Sequence, residues 1–315
     1  MDSRGARFAP RDFLRAGDGL YFAVVAPGVE NGRGLSILRY EKTETGFQKL
    51  DFRQAHRLLE ERHLTWLYHS AVRDVSLHGV PVTEVREHLI PTRRAAELLQ
   101  TAAPDAIEEK AARFLNLLAG HNIPADALGL TGSLLVGAQH PSSDIDVVVT
   151  DRDVFADVRS VVRRLLENGL VDPLSPEMWR ATHARRGCSL SLDDYIWHER
   201  RKFNKLVTGG TKIDVSLALR EEPPPAEPFR KLRRIDLTAK VTDDAHSFDY
   251  PAVWSIDSPL APTLISWTPT YTGQAVTGET IHIQGWLEES ETGRRQIIVG
   301  TSREAAGESI AVVRS

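Results

Sequence analysis

Short apolar runs punctuate the first hundred residues. Leu20-Tyr21-Phe22-Ala23-Val24-Val25 and Leu35-Ser36-Ile37-Leu38-Arg39-Tyr40 each read as a strand, and the glycine- and asparagine-rich segment from Pro27 to Gly34 joins them as a hairpin. The period lengthens to a helical one from Asp51 to Leu67. Residues 1–100 are expected to form an N-terminal α/β region, and no catalytic constellation is visible in it.

Between 101 and 222 the two periods alternate. A helix is expected to start at Pro104-Asp105, because Ile107, Ala111, Phe114, Leu115 and Leu118 recur on one face, and Gly120 is placed to end it. Leu128 to Leu130 reads as a strand, followed by the turn Thr131-Gly132-Ser133 and a second strand, Asp144-Ile145-Asp146-Val147-Val148-Val149. A further helix is expected from Asp153 to Asn168 on the stripe Val154, Val158, Val161 and Leu165, with Thr150 as its N-cap and Gly169 as its stop. Lys205 to Thr208 and Thr211 to Leu217 flank Gly209-Gly210, a strong hairpin signal. Strands interleaved with helices, plus one hairpin, predict an α+β domain with a mixed β-sheet.

The proline-rich segment Glu221 to Pro228 reads as an extended linker. Beyond it lie short β-prone runs, Leu237 to Val241, Thr263 to Trp267, Thr280 to Leu287 and Arg295 to Val299, with turn residues between several of them. Residues 229–315 are expected to form a small all-β domain, a sandwich or a barrel.

Composition narrows the class without naming a function. The chain has 315 residues, 41% hydrophobic and 26% charged, as in globular proteins rather than disordered or fibrous ones. Met1 to Arg7 leads into no apolar run, so no secretory signal and no membrane partner are expected. The single cysteine, Cys188, fits a reducing compartment, and the cytoplasm is the expected location. The formal net charge of −4 argues against a surface basic all over, though not against a local basic patch.

The chemistry concentrates in the middle domain. Asp144 and Asp146 are two apart in a strand, so both carboxylates project to one side, roughly 7 Å apart at the backbone. Asp214 sits in a second strand with Lys212 and Ser216 on its face. If the strands are neighbours, three carboxylates converge, and oxygen ligands of this kind suit Mg²⁺. Such a triad can hold two ions for in-line phosphoryl or nucleotidyl displacement. Gly132 lets backbone approach a phosphate, and the Ser133 amide and hydroxyl can donate to its oxygens. Gly132 to Gly137 also starts like a P-loop, but Ala138-Gln139 replace the required Lys-Ser/Thr.

Gly132-Ser133, ten intervening residues, Asp144-Ile145-Asp146 and a strand-borne Asp214 resemble the signature of the DNA polymerase β-like nucleotidyltransferase superfamily. The match covers about Ala102 to Leu219, and the flanking parts are similar to uncharacterised archaeal proteins with the same core. The resemblance implies a core that binds a nucleoside triphosphate with two Mg²⁺ ions, Mn²⁺ being able to replace them. It assigns Gly132 and Ser133 to the phosphates and Asp144 and Asp146 to both metals. Asp214 would bind the catalytic metal and help activate the acceptor hydroxyl.

From Trp179 to Lys212 basic residues outnumber acids by five, densest at His198-Glu199-Arg200-Arg201-Lys202-Phe203-Asn204-Lys205. Arg201, Lys202 and Lys205 are therefore candidates to meet the triphosphate or an acceptor's phosphates; a solvated helix face is the alternative. Arg230-Lys231-Leu232-Arg233-Arg234 would extend the patch. His140 is a weaker nucleotide contact, Tyr195 and Trp197 are base-stacking or packing aromatics, and no zinc-binding spacing is present.

The expected reaction is transfer of a nucleoside monophosphate to an acceptor hydroxyl with release of pyrophosphate. An RNA or DNA 3′ end is the expected acceptor. A protein or small-molecule acceptor, as in AMPylating or toxin–antitoxin enzymes, and a non-catalytic nucleotide or RNA binder are the alternatives.

Overall fold

A computed structural model describes residues 8–220, 227–301 and 306–314. The linker around Pro223 lies outside the described residues. The chain forms two compact units: one from the described residues of 1–71, 75–171 and 206–226, the other from those of 72–74, 172–205 and 227–315. Among the described residues no helix is long and apolar enough to cross a membrane.

The first unit opens with β1 (Phe13–Ala16), β2 (Leu20–Val24), β3 (Arg33–Thr43), β4 (Gly46–Lys49), α1 (Phe52–Arg62), β5 (Leu67–Ser70), β6 (Val75–Pro81) and β7 (Val85–Leu89). The strands form one sheet in the order β5-β6-β3-β2-β1-β7, with β4 added to β3. The expected hairpin is β2–β3, in register at Ala23↔Ile37. The pairings of β1, β2 and β3 are antiparallel throughout. Residues 8–100 thus combine an antiparallel sheet with α1 and α2 (Pro91–Leu99), and most connections between the strands are too short for a crossover helix. Helix α1 stops at Arg62, short of the sequence pattern, where the chain turns to bury Trp66 edge-on against Phe22.

Next come α2 (Pro91–Leu99), α3 (Ala106–Ala119), β8 (Leu128–Thr131), α4 (Ser133–Val136), β9 (Ile145–Val149) and α5 (Arg152–Glu167), then, after residues of the second unit, β10 (Lys205–Thr208) and β11 (Thr211–Leu217). Asp105 and Glu108 close a reciprocal capping box at the start of α3, and the five residues on its predicted face are all buried. The four-stranded sheet runs β10-β11-β9-β8, with β9 antiparallel to β8 and parallel to β11. Ile145, Val147, Val148 and Val149 are fully buried, as expected of a central strand covered on both faces. At α5 the cap is Asp151, which accepts from Val154 N; Thr150 instead donates to the Ala127 carbonyl. The two sheets share a core: Phe13, Tyr21 and Tyr40 pack with Leu135 and Val136 of α4.

The second unit holds α6 (Pro176–Arg186), α7 (Leu192–Arg201), β12 (Phe229–Asp243), β13 (Ala252–Asp257), β14 (Thr263–Ser266), β15 (Thr280–Ser290), β16 (Arg295–Val299) and β17 (Ser309–Val312). The pairings β12-β13-β14-β16-β15 return to β12, which closes a small barrel, and β17 adds to the free half of β15. Closure removes the sheet edges an open sandwich of this size would expose. The sequence pattern identified four of these six strands and missed β13 and β17.

Candidate active site

Three strands align the central groups. Asp146 on β9 pairs in register with Thr131 on β8 and with Asp214 on β11. Directly paired residues share a face, so Asp146 stands between a hydroxyl and a second carboxylate. Asp144, two residues earlier, lies just ahead of β9 on the same side. The sequence reading required the Asp214 strand to neighbour the Asp146 strand, and it does.

The Gly132-Ser133 turn follows β8 directly. Gly132 has φ +65°, and a Cβ built on it would stand 2.5 Å from Asp146 Oδ2. Both the backbone conformation and the close carboxylate therefore require glycine here. The turn is held from behind by Arg94 of α2, whose Nε donates to the Leu134 carbonyl at 2.8 Å and whose guanidinium also bonds Glu108. Gln139 Nε2 donates to the Asp105 carboxylate at 2.9 Å, so the capping box of α3 anchors the far end of the same loop.

Lys212 completes the group. Its ammonium donates to Asp214 and lies 3.2 Å from Asp144 Oδ2, with the side chain only 6% exposed. Burial is the largest influence on Lys212 and pushes its pKa down, but Asp214, Asp144 and Asp146 together hold it above the ordinary lysine value. Asp146 is also shifted upward, which for a carboxylate disfavours the charged form. Loss of water and the neighbouring Asp214 charge raise its pKa, while Lys212 and Arg11 pull it back. The oxygen donors are of the type a hard divalent cation takes. Among the described residues, however, no three His, Cys, Asp or Glu side chains are gathered as a ready metal cluster. Asp146 and Asp214 stand side by side in register, and the Lys212 ammonium bridges Asp214 to Asp144.

Two residues of the N-terminal sheet region reach this site without having been anticipated. Arg11 adopts φ +78°, rare for a side-chain-bearing residue, and its carbonyl accepts from Thr131 Oγ1 at 2.7 Å. Tyr40 is pushed up to about 12 by burial, with the Asp146 charge contributing. Nothing in the arginine-rich lead distinguishes Arg11, because its position depends on a contact 120 residues away in the chain.

The predicted cations lie in the second unit, each committed to a carboxylate there. Arg201 donates to Glu279 Oε1 at 2.6 Å and stacks over Trp197. Lys202 is 2% exposed and donates to Glu199 at 2.6 Å and to the Thr270 carbonyl at 2.9 Å. Lys205 lies 2.5 Å from the other Glu199 oxygen. Burial, only partly opposed by Glu199, lowers Lys202 to about 8. Glu199 falls to about 2 because the two lysines outweigh the effect of its burial. The basic segment of β12 faces acids on β15, with Arg230 opposite Glu289 and Lys231 opposite Glu288.

Of the weaker candidates, His140 accepts or donates locally with Ser142 in an exposed loop. Tyr195 is buried as a packing residue. Trp197 lines an open cavity of about 420 Å³ with Glu279, Thr280 and Arg314. Cys188 has its thiol pKa raised, chiefly by burial, unlike an activated thiolate.

The chain is 29% identical to the uncharacterized protein MJ1086 of Methanocaldococcus jannaschii, over 96% of this chain and 98% of that one. That relative's name assigns no activity. No family model matches the chain. No solved structure matches it either.

Proposed function

We propose that this protein is a metal-dependent nucleotidyltransferase with a polymerase β-like core. It transfers a nucleoside monophosphate from a nucleoside triphosphate to an acceptor hydroxyl and releases pyrophosphate. The observation that carries the reading is the register Asp146↔Asp214 beside a glycine whose missing Cβ makes room for Asp146. Asp144, Asp146 and Asp214 would hold two Mg²⁺ or Mn²⁺ ions, which polarise the α-phosphate and stabilise the leaving oxygen when bound. Ser133, in the turn whose Leu134 carbonyl Arg94 holds, would donate its amide and hydroxyl to phosphate oxygens. Asp214 orients the acceptor hydroxyl and receives its proton.

The acceptor we favour is an RNA or DNA 3′ end. With Arg201, Lys202 and Lys205 engaged by Glu279 and Glu199, support for a polymer rests on Arg230 and Arg233, exposed on β12. The cytoplasm supplies the triphosphate and the divalent ions. The test offers labelled nucleoside triphosphates with Mg²⁺ or Mn²⁺ to RNA, DNA and protein together. Label on nucleic acid, lost in Asp146→Ala, supports the reading. Label on protein alone removes the polymer acceptor, and full activity in Asp146→Ala removes the assignment.

A further inference from the structure

Two adjacent parallel strands place four charged side chains in a block: Asp144 and Asp146 from the β9 side, Lys212 and Asp214 from β11. The block is three carboxylates to one ammonium. The ammonium touches the first and third carboxylates, Asp144 just ahead of β9 and Asp214 on β11. Those two carboxylates keep 32% and 23% of their side-chain surface, whereas Lys212 keeps 6%. The cation is therefore buried while its acceptors stay partly exposed. An ordinary surface ion pair does not bury its cation in this way.

We infer that Lys212 is a tethered cation of the carboxylate site, holding in the metal-free protein the position between Asp144 and Asp214 that a divalent ion takes, and leaving it when that ion binds. The inference rests on the reading of these carboxylates as metal ligands. It accounts for an otherwise awkward pair of facts: the oxygen donors suit a hard cation, yet they are not gathered as a metal cluster. Three like charges on neighbouring strands repel at short range, and the Lys212 ammonium is the neutralising group that touches two of them. Lysine suits a displaceable role better than arginine would. Its ammonium is a compact point charge on a flexible four-carbon stem, without the rigid two-pronged fit that locks arginine to a carboxylate. Once released, the ammonium remains within a side-chain length of the site, where a polyphosphate brings new negative charge.

The test is direct Mn²⁺ binding to the full chain by calorimetry, with no turnover required. Lys212→Met keeps the stem and removes the charge, and Arg11→Gln removes a charge near Asp146 that touches neither Asp144 nor Asp214. Lys212→Met is expected to bind Mn²⁺ about tenfold more tightly or better, and Arg11→Gln to change by less than about threefold. A loss of Mn²⁺ binding in Asp214→Asn assigns the heat to this site. Equal affinity in wild type and Lys212→Met, or equal gains in both charge-removing variants, overturns the inference and leaves the metal reading standing. No Mn²⁺ binding in either wild type or Lys212→Met overturns both. Should Lys212→Met not fold, ¹⁵N-lysine spectra of the wild type decide instead. The hydrogen-bonded Lys212 ammonium signal is expected to shift or vanish on adding Mg²⁺, and an unchanged signal at saturation overturns the inference.

Discussion

Each unit of this protein carries a cluster of carboxylates and lysines in contact, and the two are built to opposite rules. In the second unit Glu199 is flanked by Lys202 and Lys205, all three nearly out of solvent, with a Thr270 carbonyl taking a further ammonium hydrogen. In the first, Asp144, Asp146 and Asp214 outnumber Lys212, and Asp144 and Asp214 keep part of their surface. A buried cluster whose acid is fully matched has no unsatisfied demand and serves the fold. A partly exposed cluster with excess negative charge, beside a glycine in contact with its central carboxylate and an arginine at positive φ, holds charge that a ligand can satisfy. Charge count along the sequence makes Arg201, Lys202 and Lys205 candidates for phosphate beside Gly132 and Ser133, and the fold gives each of the three cations a carboxylate partner.

The comparison breaks most visibly if the two clusters respond alike to losing their central acid. Asp146→Ala is expected to cost about 10³-fold or more in nucleotide transfer, equivalent to several kcal/mol of transition-state stabilisation, with little loss of melting temperature. Glu199→Ala leaves two buried ammonium groups without their acid and is expected to lose about 3–5 kcal/mol of folding stability. Denaturant melts of both variants, run beside a transfer assay, check the pair. A stable Glu199→Ala protein would show that the second cluster is not structural.

Acid titration sharpens the same contrast. Glu199 has its folded pKa lowered from 4.5 to about 2, so its contribution is complete above pH 4.5 and is lost as pH falls toward 2. The shift corresponds to roughly 3 kcal/mol at most for this buried group. Stability of the wild type should therefore fall across that window more steeply than that of Glu199→Gln, whose curve lacks this component. Parallel curves would show that the lysines do not depress Glu199. Lys202 gives stability the same upward slope with pH in a second, alkaline window. Its folded pKa of about 8 lies below the ordinary 10.5, so deprotonation between those values favours the folded state.

Gly132→Ala probes the other cluster at smaller cost. A side chain at φ +65° is strained, and its Cβ would be 2.5 Å from Asp146 Oδ2, so either the turn or the carboxylate moves. The expected loss is about 1–3 kcal/mol of stability, together with a fall in transfer activity larger than that loss explains. Full activity in a folded Gly132→Ala protein would show that the turn does not set the Asp146 position.

What the sequence made legible follows from range. The buried face and cap of α3 lie within one helix and were read from spacing; the Gly-Ser turn, Asp144 and Asp146 lie within fifteen residues of one another. Asp214 required a pairing across about seventy residues and was placed conditionally, by its strand character. Arg11 left no local trace, since arginine does not advertise a left-handed backbone and its hydrogen-bond partner is Thr131. The lysines near α7 misled because charge count along a sequence is blind to Glu199 folding back between them. Strands β13 and β17 were missed as well, although β13 shows the alternating burial of a half-buried strand; β17 has only four residues and is fixed by its pairing with β15.

The smallest test returns to a place where local reading chose the wrong neighbour. Thr150 and Asp151 are both good N-caps, and sequence offers little to separate them. The structure gives Asp151 the capping bond, 2.9 Å to Val154 N, while Thr150 is drawn to the Ala127 carbonyl just before β8. Asp151→Ala should therefore lose about 1 kcal/mol, and Thr150→Ala, whose 3.3 Å bond is long and partly exposed, about half that or less. Because α5 follows β9 directly, the Asp151 loss should reach the carboxylate sheet only as stability. Transfer activity measured below the melting transition is expected to be unchanged in both variants. A selective fall in activity for Asp151→Ala would mean that the start of α5, and not the strand register alone, positions Asp144 and Asp146.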